Sequence, residues 1–539
     1  MDKRTIQGVH FLRLHGTAVE RGRAHGVLLK TEIPDGALTA LSHKNEWMIR
    51  RGPGLVEYKP VQDVLVWFYK RVLMPWLDRR TGKTFRDVMK AIAFESGVPY
   101  EVCRESLFQA EGLMLLSRFS VMKYLLREIG FHEALPGCTS AIVDGSWTKS
   151  GRIMMCRNMD YPIVGPWEKH TTVLFHEPTE TNEIPHVSIT SAGIHTSGLT
   201  TMNREGLVLA THAHFTRKLN LFGQPIVLVG SKTIRRARTI GEAVDLIRKT
   251  PRIANWAFTM CSAKEKRGVV IEMNPNECVV REMDEGYIGH TNFFHKRPVR
   301  DPEANISGGC TEDLWNRYCR IGQVLEQFKG QVEPYHMAQA LSDNIDPLTG
   351  VQRVMGNTVS VVTTLKSAIF DPEAQRFWIA TRKESPTSHG EFLQIDVDKF
   401  WNHNPPHHEY PVIKEHLANK HPSLSEGIHF YREAYRAWHV NNHEPDYMEK
   451  AKLGLEKAIK AYPSDGNLWF LLGLICFRMK MWIESEKSFL KVKDLKVSEH
   501  VGQVTDLFLA RCHDIHDRRE KALEIYRKAD NVKEPRLRK

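Results

Sequence analysis

The stretch from Gly137 to Asp160 constrains the fold of this 539-residue chain more than any other. Thr139 to Val143 (Thr-Ser-Ala-Ile-Val) reads as a short strand. Asp144-Gly145-Ser146 reads as a turn, and Arg152 to Cys156 (Arg-Ile-Met-Met-Cys) as a returning strand. A hairpin of this kind brings Arg157 and Asp160 beside Cys138, so an arginine, a carboxylate and a thiol meet in one place.

That grouping has a chemical sense. If the Gly137-Cys138 peptide bond is cut, the new chain begins with a residue carrying both a thiol and a free α-amine; the thiol attacks and the amine takes its proton. An α-amine titrates at about 7.7 to 8.0 and an unperturbed thiol at about 8.5, so the amine is a base near neutral pH without help from a histidine. Gly137, lacking a Cβ, is expected to accept the strained backbone that an N-to-S acyl shift needs, with Pro136 stiffening the approach. The plainer alternative is a buried cysteine acting as a small hydrophobe.

Cys138-Thr-Ser-Ala-Ile-Val through Arg157-Asn-Met-Asp160-Tyr-Pro resembles the N-terminal nucleophile hydrolases, which include acid ceramidase, N-acylethanolamine-hydrolysing acid amidase and conjugated bile acid hydrolase. It resembles above all the acyl-coenzyme A:6-aminopenicillanic acid acyltransferase (peptidase C45) family. Three further segments are similar to that family: Gly16-Thr-Ala-Val-Glu-Arg-Gly22-Arg-Ala-His25-Gly26, Met202-Asn203-Arg-Glu-Gly206-Leu207, and His290-Thr291-Asn292-Phe293-Phe294-His295. The resemblance spans residues 1 to about 400. It implies Cys138 as nucleophile, cleavage between Gly137 and Cys138, Arg157 and Asp160 as the pair that positions thiol and amine, and Asn292 as an oxyanion donor. A turn asparagine is the ordinary alternative for Asn292.

The chain departs from the family in places. Trp147-Thr-Lys-Ser150 lengthens the hairpin turn, which alters a loop more readily than a site. Where bile acid hydrolases place a further oxyanion asparagine, this chain reads Val208-Leu-Ala-Thr-His212-Ala-His214, leaving a backbone N–H or a histidine to substitute. Arg317 and Arg320 could bind a substrate carboxylate or phosphate, but such arginines more often lie on a solvated helix face, and they stay outside the catalytic set.

At 539 residues, with 42% hydrophobic and 26% charged content, the chain is expected to be globular with two domains. Its nine cysteines form no Cys-x-x-Cys pair, which points to a reducing compartment and no structural zinc. The N-terminus lacks the apolar stretch of a secretory signal, so a cytoplasmic location is the default. No transmembrane segment is expected: Val64-Leu-Val-Trp-Phe-Tyr69 with Val72-Leu-Met74 is too short, and reads as a buried helix, with an acyl-chain lining or a membrane-dipping surface as alternatives. The net charge of +11 is spread among acids along the chain and carries no nucleic-acid motif, so it reads as a solvated surface with some attraction for anionic ligands.

The expected organisation is an α+β region over 1–400, divided by cleavage into 1–137 and 138–400, then a linker over 401–424 and helical repeats over 425–535. Helical patterns fill the first part, including Thr84 through Arg118; Val187-Ser-Ile-Thr190, Gly268-Val-Val-Ile-Glu272 and Thr358-Val-Ser-Val-Val362 read as strands, and Ile240 to Arg248 as a helix. The family resemblance implies a four-layer αββα sandwich of antiparallel sheets. The linker's histidines match no standard metal site, and neither metal nor cofactor is expected. Ala451, Leu455, Ala458 and Pro463, then Trp469, Leu472, Gly473 and Phe477, then Trp482 and Phe489, look like tetratricopeptide repeats, which would form a protein-binding or self-associating groove or else a helical cap on the first domain. Two functions follow: an autoprocessed amidohydrolase or acyltransferase acting on an acyl amide or acyl thioester, and alternatively a catalytically inactive interaction scaffold.

Overall fold

A computed structural model describes residues 1–50, 58–112, 137–215, 218–300, 308–402, 410–417 and 421–529. Pro136, the part of the Thr84–Arg118 stretch beyond residue 112, and the histidine-rich run 403–409 lie outside the described residues.

Two sheets form the body. The first has nine strands: β1 (Asp2–Ile6), β2 (Val9–Gly16), β5 (Thr171–Pro178), β6 (His186–Ser191), β7 (Thr200–Asn203), β8 (Leu207–Ala213), β9 (Trp256–Ser262), β10 (Arg267–Met273) and β11 (Cys278–Glu282), adjacent in that order. The second runs β12 (Tyr287–His290), β3 (Gly137–Val143), β4 (Met154–Asp160), β13 (Thr364–Asp371), β14 (Arg376–Ala380), β15 (Phe392–Asp396) and β16 (Val412–Ile413). All pairings are antiparallel except β2 with β5, which is parallel. The N-terminal segment thus supplies two strands to a sheet otherwise built after residue 138.

Alternation along the strands sorts the core into layers. Phe11, Val173 and Val208 of the first sheet meet Ile142, Met155 and Phe370 of the second. On the far side of the first sheet, Leu207, Phe258 and Val269 pack on helices Ile226–Ile234 and Ile240–Arg248. Beyond the second, Ala141, Val143 and Cys156 pack on Ile321 and Leu325 of helix Gly308–Glu326 and on Met337 and Leu341 of helix Pro334–Leu341. The order is helix, sheet, sheet, helix.

The helical pattern from Thr84 is present as helices Lys83–Ser96 and Tyr100–Leu107, parted where Gly97 adopts φ 74° and Pro99 follows. Other local expectations are corrected. Thr358 to Val362 is not a strand. It is a buried loop whose carbonyls are met by side chains: Asn158 Nδ2 donates to Val359 O at 3.2 Å and Asn344 Nδ2 to Ser360 O at 3.0 Å. The apolar run from Val64 does not form a buried helix either. Among the described residues, helix Lys59–Phe68 buries Val66 and leaves Val64, Trp67 and Phe68 exposed, since consecutive apolar positions on a helix cannot all face one side. No helix among the described residues is long and apolar enough to cross a membrane.

The stretch 401–424 carries edge strand β16 and the start of helix Pro422–Tyr435. From there the chain is helical: Tyr447–Ala461, Gly466–Arg478, Trp482–Lys493, Glu499–Ile515 and Arg519–Ala529. Small residues mark close helix contacts; a Cβ on Gly473 would lie 2.7 Å from the Phe489 ring, and one on Gly454 would lie 2.9 Å from Ala434. This region is packed on the sheets rather than hung from them. Leu424, Ile428, Leu455 and Leu468 share a core with Met159, Tyr161, Val354 and Met355.

Candidate active site

Cys138 is the second residue of β3, and register decides its neighbours. In the β3–β4 pair Cys138 stands opposite Met159 and Ser140 opposite Arg157, so these four side chains share the face turned to the first sheet. The guanidinium of Arg157 donates from Nη2 to Cys138 Sγ at 3.2 Å and to Thr211 O at 2.6 Å, and from Nη1 to Leu199 O and Thr200 Oγ1. Arg157 is fixed by two carbonyls and a hydroxyl and meets the sulfur with its fourth contact.

Asp160 pairs with Gly137 and, by alternation, faces the helical layer with Thr139 and Asn158. The Arg157/Asp160 pair therefore straddles the strand. Asp160 Oδ1 accepts from Thr364 Oγ1 at 2.7 Å, and Oδ2 lies 3.7 Å from Arg317 Nη1. Gly137 is an ordinary strand residue without the positive φ that a strained turn would show.

On the other edge of β3, β12 pairs His290 with Ser140, which carries Asn292 alongside Cys138. Cys138 N donates to Asn292 Oδ1 at 2.8 Å, and Asn292 Nδ2 donates to Ala213 O at 2.9 Å. A backbone N–H on one end and a carbonyl on the other fix the orientation of the amide and leave it a second N–H. His212 and His214, the proposed substitutes for a further oxyanion donor, are engaged elsewhere: His212 Nε2 bonds Ser140 Oγ at 2.9 Å, and His214 Nε2 bonds His290 Nε2 at 3.1 Å. Their strand contributes through the carbonyls of Thr211 and Ala213 instead.

Arg317 is the residue that sequence reasoning left out. It is fully buried, and its Nη1 donates to Cys138 O at 3.1 Å and Thr139 Oγ1 at 2.9 Å. Its Nη2 lies 3.5 Å from Asn292 Oδ1, and its Nε donates to Asp313 Oδ2 at 2.9 Å. The Asp313/Arg317 spacing of four was the available signal, since it places both on one helix face. Arg320 instead pairs with Asp343 at 2.8 Å, away from the cysteine.

Electrostatically the thiol is held protonated. Burial pushes the Cys138 thiol up and the Asp160 carboxylate adds to this, while Arg157 and the Asp160 N–H pull it down. In front of the sulfur lies an apolar cleft of about 890 Å³, open solvent included, walled by Leu38, Leu41, Met89, Met159, Tyr161 and Trp167. An uncharged acyl chain suits such walls.

Only one group of side chains is placed to hold a metal among the described residues: Glu272, His290 and His295 bring ligand atoms within 4.8 Å of one another. Glu272 is already held by the N–H groups of His295 at 3.1 Å and Lys296 at 3.0 Å, with the Arg281 guanidinium 3.6 Å away, so its charge is answered by the protein itself.

With this geometry in place, comparison with known proteins adds a likeness over part of the chain. Residues 147–386 match the model of the acyl-coenzyme A:6-aminopenicillanic acid acyl-transferase family. The match takes in Arg157, Asp160, Asn292 and Arg317 and begins after Cys138. The chain is similar to protein dcd1B of Dictyostelium discoideum, 22% identical over 427 residues, which are 74% of this chain and 76% of that one. Among solved structures, a Caenorhabditis elegans N-acylethanolamine-hydrolyzing acid amidase ortholog matches at 18% identity and TM-score 0.32, over 44% of this chain and 93% of its own. Penicillin V acylase from Agrobacterium tumefaciens matches at 14% identity and TM-score 0.29, over 49% and 87%.

Proposed function

We propose that this chain is a cysteine amidohydrolase or acyltransferase that cuts its own Gly137–Cys138 bond and then uses Cys138 as an N-terminal nucleophile. The observation that carries this reading is the placement of Cys138, with its sulfur on Arg157, its nitrogen on Asn292, and an apolar cleft in front of both. In the first stage Sγ attacks the Gly137 carbonyl carbon; the C–N bond breaks, the nitrogen takes a proton, and water hydrolyses the resulting thioester. The products are the 1–137 chain and a second chain starting with the Cys138 thiol and amine.

In the second stage the amine accepts the thiol proton as Sγ bonds to the acyl carbon of the substrate, and returns it to the departing amine. Asn292 Oδ1 holds one N–H of the new amine, which leaves the lone pair for the thiol. The remaining N–H of Asn292 Nδ2 supports the oxyanion. The thioester then passes to water or to an amine, and the C-terminal helices, read as tetratricopeptide-like repeats, cap the domain that does this.

The test is turnover of N-acyl ethanolamides and acyl thioesters, with acid quenching to trap an acyl group on Cys138. Cys138→Ala is expected to show neither turnover nor trapped acyl group. Asn292→Ala is expected to lose roughly a hundred- to a thousandfold in kcat with KM little changed. Turnover by Cys138→Ala at the wild-type rate would refute the reading.

A further inference from the structure

A second cavity, of about 1300 Å³ with its mouth, lies on the outer side of the nine-stranded sheet and shares Phe85 and His195 as walls with the acyl cleft. Its walls carry far more polar groups than those of the cleft. Five cations line it (Arg21, Lys83, Lys232, Arg235 and Arg236) against two carboxylates, Glu180 and Glu183.

The carboxylates are already answered. Arg21 Nη1 is 2.9 Å from Glu180 and Nη2 is 2.9 Å from Glu183, and Arg235 also pairs with Glu183. That leaves Lys83, Lys232 and Arg236 with no carboxylate partner among the described residues. Three buried nitrogens, Arg21 Nε, Arg235 Nε and His176 Nε2, likewise find no hydrogen-bond partner among the described residues. His176 is 3% exposed, and an unpaired polar atom at that depth is costly.

Hydrogen bonding also fixes where a donor points. Gly193 N donates to His25 Nε2 at 3.1 Å, so His25 carries its proton on Nδ1 and gives it to His195 Nδ1 at 3.0 Å. His195 is therefore protonated on Nε2, a donor left over at the wall between the two cavities. A cavity with surplus cations and spare N–H donors is built for an anion with several oxygen atoms.

We propose that this cavity binds a phosphate- or sulfonate-type oxyanion, with Lys83 and Arg236 at the mouth and His195 and Arg235 further in. The anion comes either from the amine portion of a substrate whose acyl end reaches Cys138 or from free solution. Only the first source rests on the proposed acyl chemistry.

The experiment has two arms. Calorimetric titration of inorganic pyrophosphate into the full-length Cys138→Ala chain is expected to show binding that weakens at least tenfold when Lys83→Gln and Arg236→Gln are added; both side chains are exposed, so the fold should tolerate them. Hydrolysis of an N-acyl taurine is then compared with that of the N-acyl ethanolamine of the same chain length, using protein with Cys138 intact. If the sulfonate is favoured and the preference falls towards unity in the double variant, the anion belongs to the substrate. If pyrophosphate binding depends on the two residues but neither amide is favoured, or neither is cleaved, the site takes a free anion, and the second case counts against the catalytic reading alone. No pyrophosphate binding, or binding indifferent to the double substitution, overturns the proposal.

Discussion

Arg317 ties the nucleophile to the helical layer, meeting Cys138 O, Thr139 Oγ1 and Asp313 while facing Asp160 at 3.7 Å. Its removal takes the Arg317 charge away from the buried carboxylates of Asp160 and Asp313, and breaking a buried pair typically costs about 3–5 kcal/mol. Arg317→Met is therefore expected to lose about that much stability in urea unfolding and to remain a single chain; loss under 1 kcal/mol would show the charge to be dispensable. The sequence made Cys138, Arg157, Asp160 and Asn292 legible as a group, and the structure brings Cys138 into contact with both Arg157 and Asn292. It did not reveal that Asp160 faces away from the sulfur, because that depends on the strand continuing through residue 160 instead of ending before Arg157. Arg317 was hidden for a related reason: an arginine four residues after an aspartate reads equally well as a solvated pair.

Among elements, the attachment of the C-terminal helices is the feature with the largest consequence. Asp465 is fully buried and caps helix Gly466–Arg478 by accepting from Asn467 N at 3.0 Å. The same carboxylate accepts from Val354 N at 2.7 Å and Met355 N at 3.2 Å, and lies 3.3 Å from Arg353 Nη1. Burial pushes its pKa up while Arg353 pulls it down. Asp465→Ala removes a cap and half of a buried pair, although Arg353 keeps Asp346 at 2.9 Å, so a loss of roughly 3 kcal/mol is expected. The check is urea unfolding together with limited proteolysis, where new cleavage in the loop before β13 should appear; an unchanged midpoint and digest would mean that this docking does not hold the elements together. The helices themselves were legible from their periodicity. Their docking was not, because a face that binds a partner and a face that covers a domain have the same apolar composition.

Across the whole molecule, buried neutral histidines set the response to acid. Burial lowers His25 and His214 to about 3 and His186 to about 4, from an ordinary value of 6.5. Between those values and 6.5 the unfolded chain binds protons that the folded chain does not, so stability rises with pH across this window and falls on acidification. The urea midpoint is expected to drop between pH 6.5 and pH 4.5, with proton uptake on unfolding; a midpoint flat over that range would contradict the neutral assignment. The fold also bears on how cleavage must be detected, since β1 and β2 belong to the nine-stranded sheet and would hold residues 1–137 in place after the bond is cut. The decisive measurement is thus the intact mass, under denaturing conditions, of freshly purified wild-type protein and of Cys138→Ala. The account predicts two chains, 1–137 and 138–539, for the wild type and one uncut chain for the variant. A wild-type protein that stays whole at both neutral and acidic pH would contradict it.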